Sequence, residues 1–475
     1  MINYSMLSDF YELTMANGYY LSGMKDKILY FDLFYRNNPD SAGFAIACGL
    51  EPVIEQLLDF HFEDEDIDFL KGKRVFSEDF LTYLRNLRFT GDMWAVPEGT
   101  VVFPNEPILT IRAKAIEAQL IETILLLLIN HQSLIATKTN RIVRAAAGRT
   151  ILEFGARRAH GGEASIKGAR AAYIAGVTAT SNTLVDKIYG IPASGTMAHS
   201  WVQVFDDEYQ AFLTYCKLYP KATSLLVDTY NVLKSGMPNA IKAFKEAGIT
   251  KGSIRIDSGD IAYLSIKARN MLDEAGLYDI KIVASNSLDE SIIRDIIAQG
   301  GKVDIFGVGE RLITAKSDPV FGGVYKLVAV EEEDNIIPKI KISENITKIT
   351  TPHFKKIYRI YDNETKKAEV DLLCIHDEVI DFTKPLEIFD PDFPWKRKVL
   401  TNIFARELLV PIFKDGALVY DIPSISDTCH YCKEEVDSIW DEVKRFENPH
   451  NYYVDLSQRL WDEKQDMLTK ERAKE

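Results

Sequence analysis

The sequence predicts an α/β fold with a parallel sheet, and residues 224–314 carry the observations that predict it. Short, β-branched apolar runs follow one another there, namely SLLVDTYN, SIRIDSGD, KIVASNSLDE and VDIFGVGERL. Continuous runs of this kind are typical of strands buried on both faces of a parallel sheet. Helical patterns separate the runs, at residues 232–248, 261–276 and 288–300, and each closes on a glycine that suits a helix C-terminus.

The predicted strands end in small polar clusters instead of plain turns. Parallel strands joined by crossover helices place their carboxyl ends on one side of the sheet. We therefore expect a single rim, suited to an active site, which gathers Asp228, Arg255, Asp257, Asp260, Asn286, Gly307, Gly309 and Arg311.

The chain has 475 residues, more than one ordinary core accommodates, so two or three domains are expected. Residues 1–135 contain an aromatic-rich amphipathic segment, the strand candidate ILYFDLFYRN, proline-broken β segments and a long helix that begins near residue 116. Residues 136–321 form the barrel-like α/β part, and residues 322–350 read as two strands that return to the first sheet. Residues 351–475 mix short strands with a charged helical C-terminus, whose tail QDMLTKERAKE is expected to be a solvated helix end.

Composition excludes several classes of function. The net charge of −14 argues against general binding to nucleic acids or anionic membranes, since both would be repelled. No apolar run is long enough to span a bilayer, and the N-terminus lacks the features of a signal peptide. Five cysteines, an odd number, suggest a reducing cytoplasm without a disulfide framework. An anionic ligand would need cations gathered locally.

Gly307, Gly309 and Arg311 indicate a phosphate site. Glycines after a strand can present backbone N–H groups to an anion, and the arginine adds a cation at the start of a helix. A glycine at this place also commonly makes only a turn, so the indication depends on its neighbours.

The acids and amides of the rim have two interpretations each. Asp257 and Asp260 could bind ribose hydroxyls or Mg²⁺, although Asp260 could equally be a helix N-cap. Asn286 and Ser287 precede a predicted helix and could likewise cap it. The coincidence of such residues at successive strand ends favours a functional site.

His199 lies in the small-residue loop GIPASGTMAHSWV. A structural role is the simpler expectation for a lone histidine. Gly195 and Thr196, however, leave room for an anion, and an uncrowded imidazole could act as a nucleophile or general base. His160, in RRAHGG, is the comparable rival.

The cysteines near the C-terminus allow a zinc site as an alternative. Cys429 and Cys432 form a CxxC motif around His430, and Cys374 pairs with His376. Because the surrounding CHYCKEEVDSIW is helical in pattern, two thiols on one helical turn explain the motif equally well.

Together, ordered motifs make the chain resemble the nicotinate phosphoribosyltransferase family over nearly its whole length. They are DFYELTMANGYY, EFGARRAHG, SGTMAHS, RIDSGD, SNSLDE, GVGERLIT and GGVYKLV. The resemblance implies an irregular TIM-like α/β barrel of the type II phosphoribosyltransferase kind, an N-terminal open-faced α/β sandwich and a C-terminal extension. It also implies a cytoplasmic homodimer with shared active sites.

The reaction that the resemblance implies joins nicotinate to 5-phosphoribosyl 1-diphosphate and releases nicotinate mononucleotide and diphosphate. It is coupled to ATP hydrolysis through a phosphorylated histidine, in NAD biosynthesis, with Mg²⁺ as cofactor and ATP as co-substrate. His199 matches the phosphohistidine, and Asp257, with Asp228, would face the ribose and Mg²⁺. The resemblance assigns substrate binding to Tyr11, Phe154, Arg157, Thr196, Arg255, Asp228, Asp257, Asn286, Gly307, Gly309, Glu310 and Arg311.

The related nicotinamide phosphoribosyltransferases place a carboxylate in the segment that matches TATSNTLV. This chain has Ser181 and Asn182 there, which would not repel the nicotinate carboxylate. A Schiff-base aldolase would need a lysine at the rim, whereas Lys281 and Lys302 begin their strands. A non-catalytic relative would be expected to lack rim residues, and here all of them are present.

Overall fold

The structure is a computed structural model that describes residues 3–333, 335–345 and 348–472. The chain divides into two compact units, residues 1–134 with 320–475, and residues 135–319. The predicted solvated end of the C-terminal tail, residues 473–475, lies outside the described residues. Among the described helices, none combines the length and apolar character needed to cross a membrane.

The helices occupy the segments that follow in chain order. They are α1 Phe10–Leu21, α2 Leu50–Leu58, α3 Asp64–Gly72, α4 Glu78–Arg85, α5 Ala115–Leu120, α6 Glu122–Ala145, α7 Gly162–Ile174, α8 Thr183–Tyr189, α9 His199–Val204, α10 Glu208–Leu218, α11 Met237–Ala247, α12 Ile261–Glu274, α13 Glu290–Ala298, α14 Glu310–Ile313, α15 Ile425–Ser438 and α16 Gln458–Arg472. Short 3₁₀ turns lie at Pro39–Ser41 and Ala156–Arg158, and a π-helical turn at Val232–Gly236 precedes α11.

The strands are equally distributed along the chain. They are β1 Ile28–Phe34, β2 Ala45–Ile46, β3 Asp92–Ala95, β4 Val101–Val102, β5 Leu109–Lys114, β6 Thr150–Glu153, β7 Ala179–Thr180, β8 Ser224–Leu226, β9 Gly252–Ile256, β10 Ile280–Ser285, β11 Ile305–Val308, β12 Val324–Glu332, β13 Asn335–Pro338, β14 Lys355–Asp362, β15 Ala368–Ile375, β16 Leu386–Phe389, β17 Arg397–Leu400, β18 Ile403–Glu407, β19 Val410–Lys414, β20 Ala417–Leu418 and β21 Val454–Leu456.

The unit formed by residues 1–134 and 320–475 is built on two main sheets. One has the strand order β13-β12-β1-β5-β3-β19-β20, and its β1 pairs antiparallel with both β12 and β5. The other has the order β18-β14-β15-β21. A fully buried ion network crosses the second sheet, where Arg359 contacts Asp371 at 2.5 Å and Glu435 at 2.9 Å.

The unit formed by residues 135–319 is built on one parallel sheet in the order β7-β6-β11-β10-β9-β8. Its strands alternate with helices, as the sequence predicts, and the mixed α/β class is confirmed. Within the described residues, no pairing joins the edge strands β7 and β8, so a closed barrel is not confirmed.

The core of this second unit lies between the sheet and the helices α10, α11 and α12. Leu225, Ile254 and Ile282, on neighbouring strands, are fully buried in one apolar cluster with Phe212 and Phe244. Burying side chains of this size contributes about 1.5–3 kcal/mol each, which fixes the helices to the sheet. The sheet is therefore a rigid base for the loops at its carboxyl edge.

One close backbone approach helps to shape this edge. A Cβ atom on Gly236 would lie only 1.9 Å from the carbonyl oxygen of Val227, so only glycine fits beside this backbone. The π-helical turn thereby packs directly against the residue that precedes Asp228.

Candidate active site

The carboxyl ends of the parallel strands bring the predicted rim residues together. Phe154 follows β6, Asp228 lies just beyond β8, Asp257 follows β9, and Asn286 follows β10. These loops share one edge because every strand pairing in the sheet is parallel. A continuous chain of contacts joins Phe154, through Arg255 and Asp257, to His199.

Arg255, on β9, is held by three hydrogen bonds. Its Nε donates to Ser285 Oγ at 2.7 Å, one terminal nitrogen donates to Thr196 Oγ1 at 2.8 Å, and the other donates to Asp257 Oδ1 at 2.8 Å. The guanidinium also lies 5.7 Å from the centre of the Phe154 ring, within the range of a cation–π contact. A fixed cation beside an aromatic face suits a flat, anionic ligand.

Phe154 is seated between backbone segments that only glycine permits. A Cβ atom on Gly307 would lie 2.5 Å from two carbons of the Phe154 ring, and one on Gly309 would lie 2.8 Å from the Phe154 carbonyl oxygen. The Phe154 N–H donates to the Val308 carbonyl at 2.7 Å. The glycines of GVGERL therefore make room for the aromatic residue of a different loop.

Glu153 supports this loop from inside the sheet. It is fully buried and accepts hydrogen bonds from Thr180 Oγ1 at 2.6 Å and from the Gly155 N–H. Burial raises the pKa of the Glu153 carboxyl. Sequence reasoning missed Glu153, although an acid at the end of an otherwise apolar strand was a usable signal.

His199 begins the short helix α9, and its ring is about 40% exposed. Its Nδ1 lies 3.1 Å from Thr229 Oγ1. Its Nε2 lies 3.9 Å from Asp228 Oδ1 and 4.0 Å from Asp257 Oδ2. One ring nitrogen is thus oriented by a hydroxyl while the other faces two carboxylates.

Asp228 has one engaged oxygen and one open one. Its Oδ2 accepts from the Asp257 N–H at 3.0 Å and from Ser258 Oγ at 2.6 Å. Its Oδ1 is buried and has no hydrogen-bond partner within the described part of the chain. Mg²⁺ is commonly held by one or two carboxylates with substrate phosphates, so these oxygens fit that ion.

The loop after β10 has an unusual backbone. Asn286 and Ser287 adopt positive φ angles of 78° and 52°, which non-glycine residues seldom do outside special sites. Asp289, not Asn286 or Ser287, is the N-cap of α13, since its side chain accepts from the Ile292 N–H at 3.0 Å. Capping therefore does not explain the pair.

Glu310 and Arg311 open the short helix α14. Arg311 forms an ion pair with Asp289. Glu310 contacts Lys316 at 2.7 Å and Arg158 at 3.8 Å, and the hydrogen bond from Lys316 chiefly lowers the pKa of its carboxyl. These ion pairs gather cations locally on an acidic protein, as an anionic ligand would require.

Other predicted residues are not joined to this chain of contacts. Arg157 and His160 are exposed, Arg157 in the 3₁₀ turn after Phe154. Asp260 caps α12, as its alternative interpretation predicts, because it accepts from the Tyr263 N–H at 3.0 Å. Tyr11 belongs to the other compact unit, where it lies on α1 with its ring 45% exposed.

The cysteines of the proposed zinc alternative lie in regular elements. Cys429 and Cys432 lie on helix α15, and Cys374 is buried on strand β15. In the residues that the structure describes, no group of three or more His, Cys, Asp or Glu side chains is arranged to hold a metal ion.

Comparison with protein families gives matches along the chain. The nicotinate phosphoribosyltransferase N-terminal domain matches residues 6–130, the nicotinate phosphoribosyltransferase family matches residues 150–365, and the corresponding C-terminal domain matches residues 354–464.

Individual relatives agree with these matches. The chain is 45% identical to the nicotinate phosphoribosyltransferase of Bacillus subtilis over 97% of this chain and 94% of that protein. It is 38% identical to one from Mycobacterium tuberculosis over 96% and 92% of the two chains. The crystal structure of human nicotinic acid phosphoribosyltransferase superposes with a TM-score of 0.84 at 27% identity, covering 97% of this chain and 100% of that one. This chain therefore belongs to the nicotinate phosphoribosyltransferase family.

Proposed function

We propose that the protein transfers the phosphoribosyl group of 5-phosphoribosyl 1-diphosphate to nicotinate, giving nicotinate mononucleotide and diphosphate in NAD biosynthesis. The observation that carries the proposal is the chain of contacts from the Phe154 ring through Arg255 and Asp257 to His199. The similarity to named nicotinate phosphoribosyltransferases over nearly the full length supports the same activity.

The pyridine would lie on the Phe154 ring with its carboxylate toward Arg255. Offset contact between aromatic rings contributes about 0.5–1.5 kcal/mol, and the guanidinium supplies the charge complementary to the acid. In a homodimer, Tyr11 would close the other face of the pyridine from a second subunit. Arg157 and Thr196 would complete the nicotinate side of the site.

The phosphosugar would lie along the loops after β10 and β11. Asn286, Gly307, Gly309 and the Glu310–Arg311 pair would surround its phosphate, and Asp228 and Asp257 would face the ribose. The same two carboxylates would hold Mg²⁺, which would neutralise charge on the departing diphosphate. The pyridine nitrogen already carries the attacking lone pair, so no protein base is needed. Binding both substrates in line lowers the barrier by positioning.

His199 would carry the phosphoryl group that couples the reaction to ATP hydrolysis. Thr229 orients the ring, and Nε2 faces the region of Asp228 and Asp257 where diphosphate would leave. A phosphoryl group there adds strong acceptor oxygens beside the substrate, which can order neighbouring loops.

The finer architecture belongs to the same proposal. The parallel sheet of residues 136–321 would curve into an irregular type II barrel, residues 1–135 with 322–350 would form the sandwich domain, and residues 351–475 would form the C-terminal region. A cytoplasmic homodimer is proposed on the family resemblance.

The proposal is tested by incubating the protein with nicotinate, phosphoribosyl diphosphate and Mg²⁺, with and without ATP. We expect nicotinate mononucleotide in both samples, with more product and with ADP when ATP is present. Absence of the mononucleotide from both samples would refute the activity. Nicotinamide in place of nicotinate should give little product, because no acid stands at Ser181 or Asn182.

The phosphohistidine is tested separately with ATP labelled in its γ-phosphate. His199→Ala should abolish labelling of the protein and the dependence on ATP, whereas the matched variant His160→Ala should label normally. Histidine labelling that persists in His199→Ala would assign the role to another residue.

A further inference from the structure

Ser285, the last residue of β10, occupies the centre of the contacts that fix Arg255 and Asp257. It is only 2% exposed. Its hydroxyl accepts from Arg255 Nε at 2.7 Å and donates to Asp257 Oδ1. A hydroxyl group has one donor and two acceptor positions, so it can make both bonds at the same time.

These two bonds determine where the neighbouring groups point. With Nε held by Ser285, the Arg255 guanidinium is fixed by three partners, the others being Thr196 and Asp257. Because Oδ1 of Asp257 is engaged by both Ser285 and Arg255, its Oδ2 is left facing His199 Nε2 at 4.0 Å. A single hydroxyl thus orients a cation and a carboxylate at once.

We propose that Ser285 is a positioning residue for the phosphoribosyl transfer. It keeps the guanidinium of Arg255 beside the Phe154 ring and keeps the free oxygen of Asp257 turned toward His199. The inference rests on the proposed function, and it adds a residue that touches neither substrate but determines how both are met.

The test compares the kinetics of Ser285→Ala with those of the wild type. Loss of a buried group that orients a ligand-binding side chain typically lowers affinity or activity by about 10- to 100-fold. We expect KM for nicotinate to rise about tenfold, because Arg255 is no longer fixed, while the thermal midpoint stays within a few degrees of the wild type. An unchanged KM and kcat in the folded variant would overturn the proposal.

The matched control is Ser224→Ala. Ser224 is a buried serine of the same sheet, and it is hydrogen-bonded to Ser253 at 2.7 Å, on residues that take no part in the rim. This variant loses an equivalent buried hydrogen bond, so it should keep wild-type kinetics. Equal losses of activity in both variants would mean that Ser285 contributes only to stability.

A double-mutant cycle separates positioning from packing. If Ser285 acts through Arg255, Ser285→Ala should raise KM for nicotinate less than about twofold in an Arg255→Lys background, against about tenfold in the wild type. Effects that simply multiply would contradict the proposed route. Ser285→Thr keeps the hydroxyl and should recover most of the affinity, and equal impairment of folded Thr and Ala variants would also contradict it.

Two further outcomes are distinguishable from these. If Ser285→Ala does not fold, Ser285→Cys, of similar size but with a poor hydrogen-bonding group, takes its place with the same expected rise in KM. If the wild type itself forms no nicotinate mononucleotide, the proposed function fails, whereas an active wild type with unaffected Ser285 variants defeats only the present inference.

Discussion

Replacing Gly307 by alanine tests whether the Phe154 ring is the platform of the nicotinate site. The added Cβ would lie 2.5 Å from Cδ2 and Cε2 of the ring, about 1 Å closer than carbon atoms normally approach. The ring is only partly buried, so it can relieve the clash by swinging away from Gly307. It would then no longer lie parallel to a pyridine beside Arg255.

The magnitude follows from the contact that is lost. Offset stacking of two rings contributes about 0.5–1.5 kcal/mol, so losing it should raise KM for nicotinate roughly two- to tenfold. The assay measures KM for nicotinate and for phosphoribosyl diphosphate in turn, with the second expected to change less. Gly162→Ala is the control, because a Cβ at Gly162, the first residue of α7, meets no atom within 4 Å. A folded Gly307→Ala protein with wild-type KM for nicotinate would refute this placement of the pyridine.

Other predictions concern stability and the carboxylates of the rim. Burial raises the pKa of Glu12 to about 7 from an ordinary 4.5, so the stability that its proton confers below about pH 4.5 is lost as the pH rises to about 7. Glu12→Gln should remove that loss and add on the order of 2 kcal/mol to the free energy of unfolding at about pH 8, measured with urea. Arg359→Ala should cost about 3–5 kcal/mol, because it leaves two carboxylates buried without their cation, and calorimetry would contradict this if the thermal midpoint were unchanged. Asp228→Asn should lower kcat by about a hundredfold in a folded protein, since it removes a charge facing His199, and near-normal kcat would exclude a role in the reaction.

The sequence predicts the repeated strands and helices well because each one carries its own local signal. The continuous apolar runs at residues 224–226, 252–256 and 280–285 are strands, and Gly248 ends its helix with a φ of 67°, where glycine is favoured. Parallel pairing then requires that the polar residues after the strands meet at one edge. For this reason the rim could be foreseen without any knowledge of side-chain contacts.

Local signals could not show which strands are neighbours. Strand β11 pairs with β6, which is far away in the sequence, and only this pairing brings Gly307 against Phe154. The positions of Ser285 and Thr229 depend on the same tertiary arrangement, since a serine or threonine near a strand end is unremarkable on its own. Their roles could be inferred only from distances to Arg255 and His199.

Helix boundaries were the other point of difference. Residues 232–248 were predicted as one helix, but the structure begins this segment with a π-helical turn, where Gly236 packs against the backbone of Val227. The long helix predicted from residue 116 is divided into α5 and α6 near Ile121. Periodicity of apolar residues continues through both irregularities, so it gave no sign of them.

A crystal structure of the protein with nicotinate mononucleotide tests the central claim most directly. The account predicts the pyridine on the Phe154 ring, its carboxylate within hydrogen-bonding distance of Arg255, and the phosphate at the loops that follow β10 and β11. A mononucleotide bound elsewhere, with Phe154 and Arg255 contacting no part of it, would contradict the account.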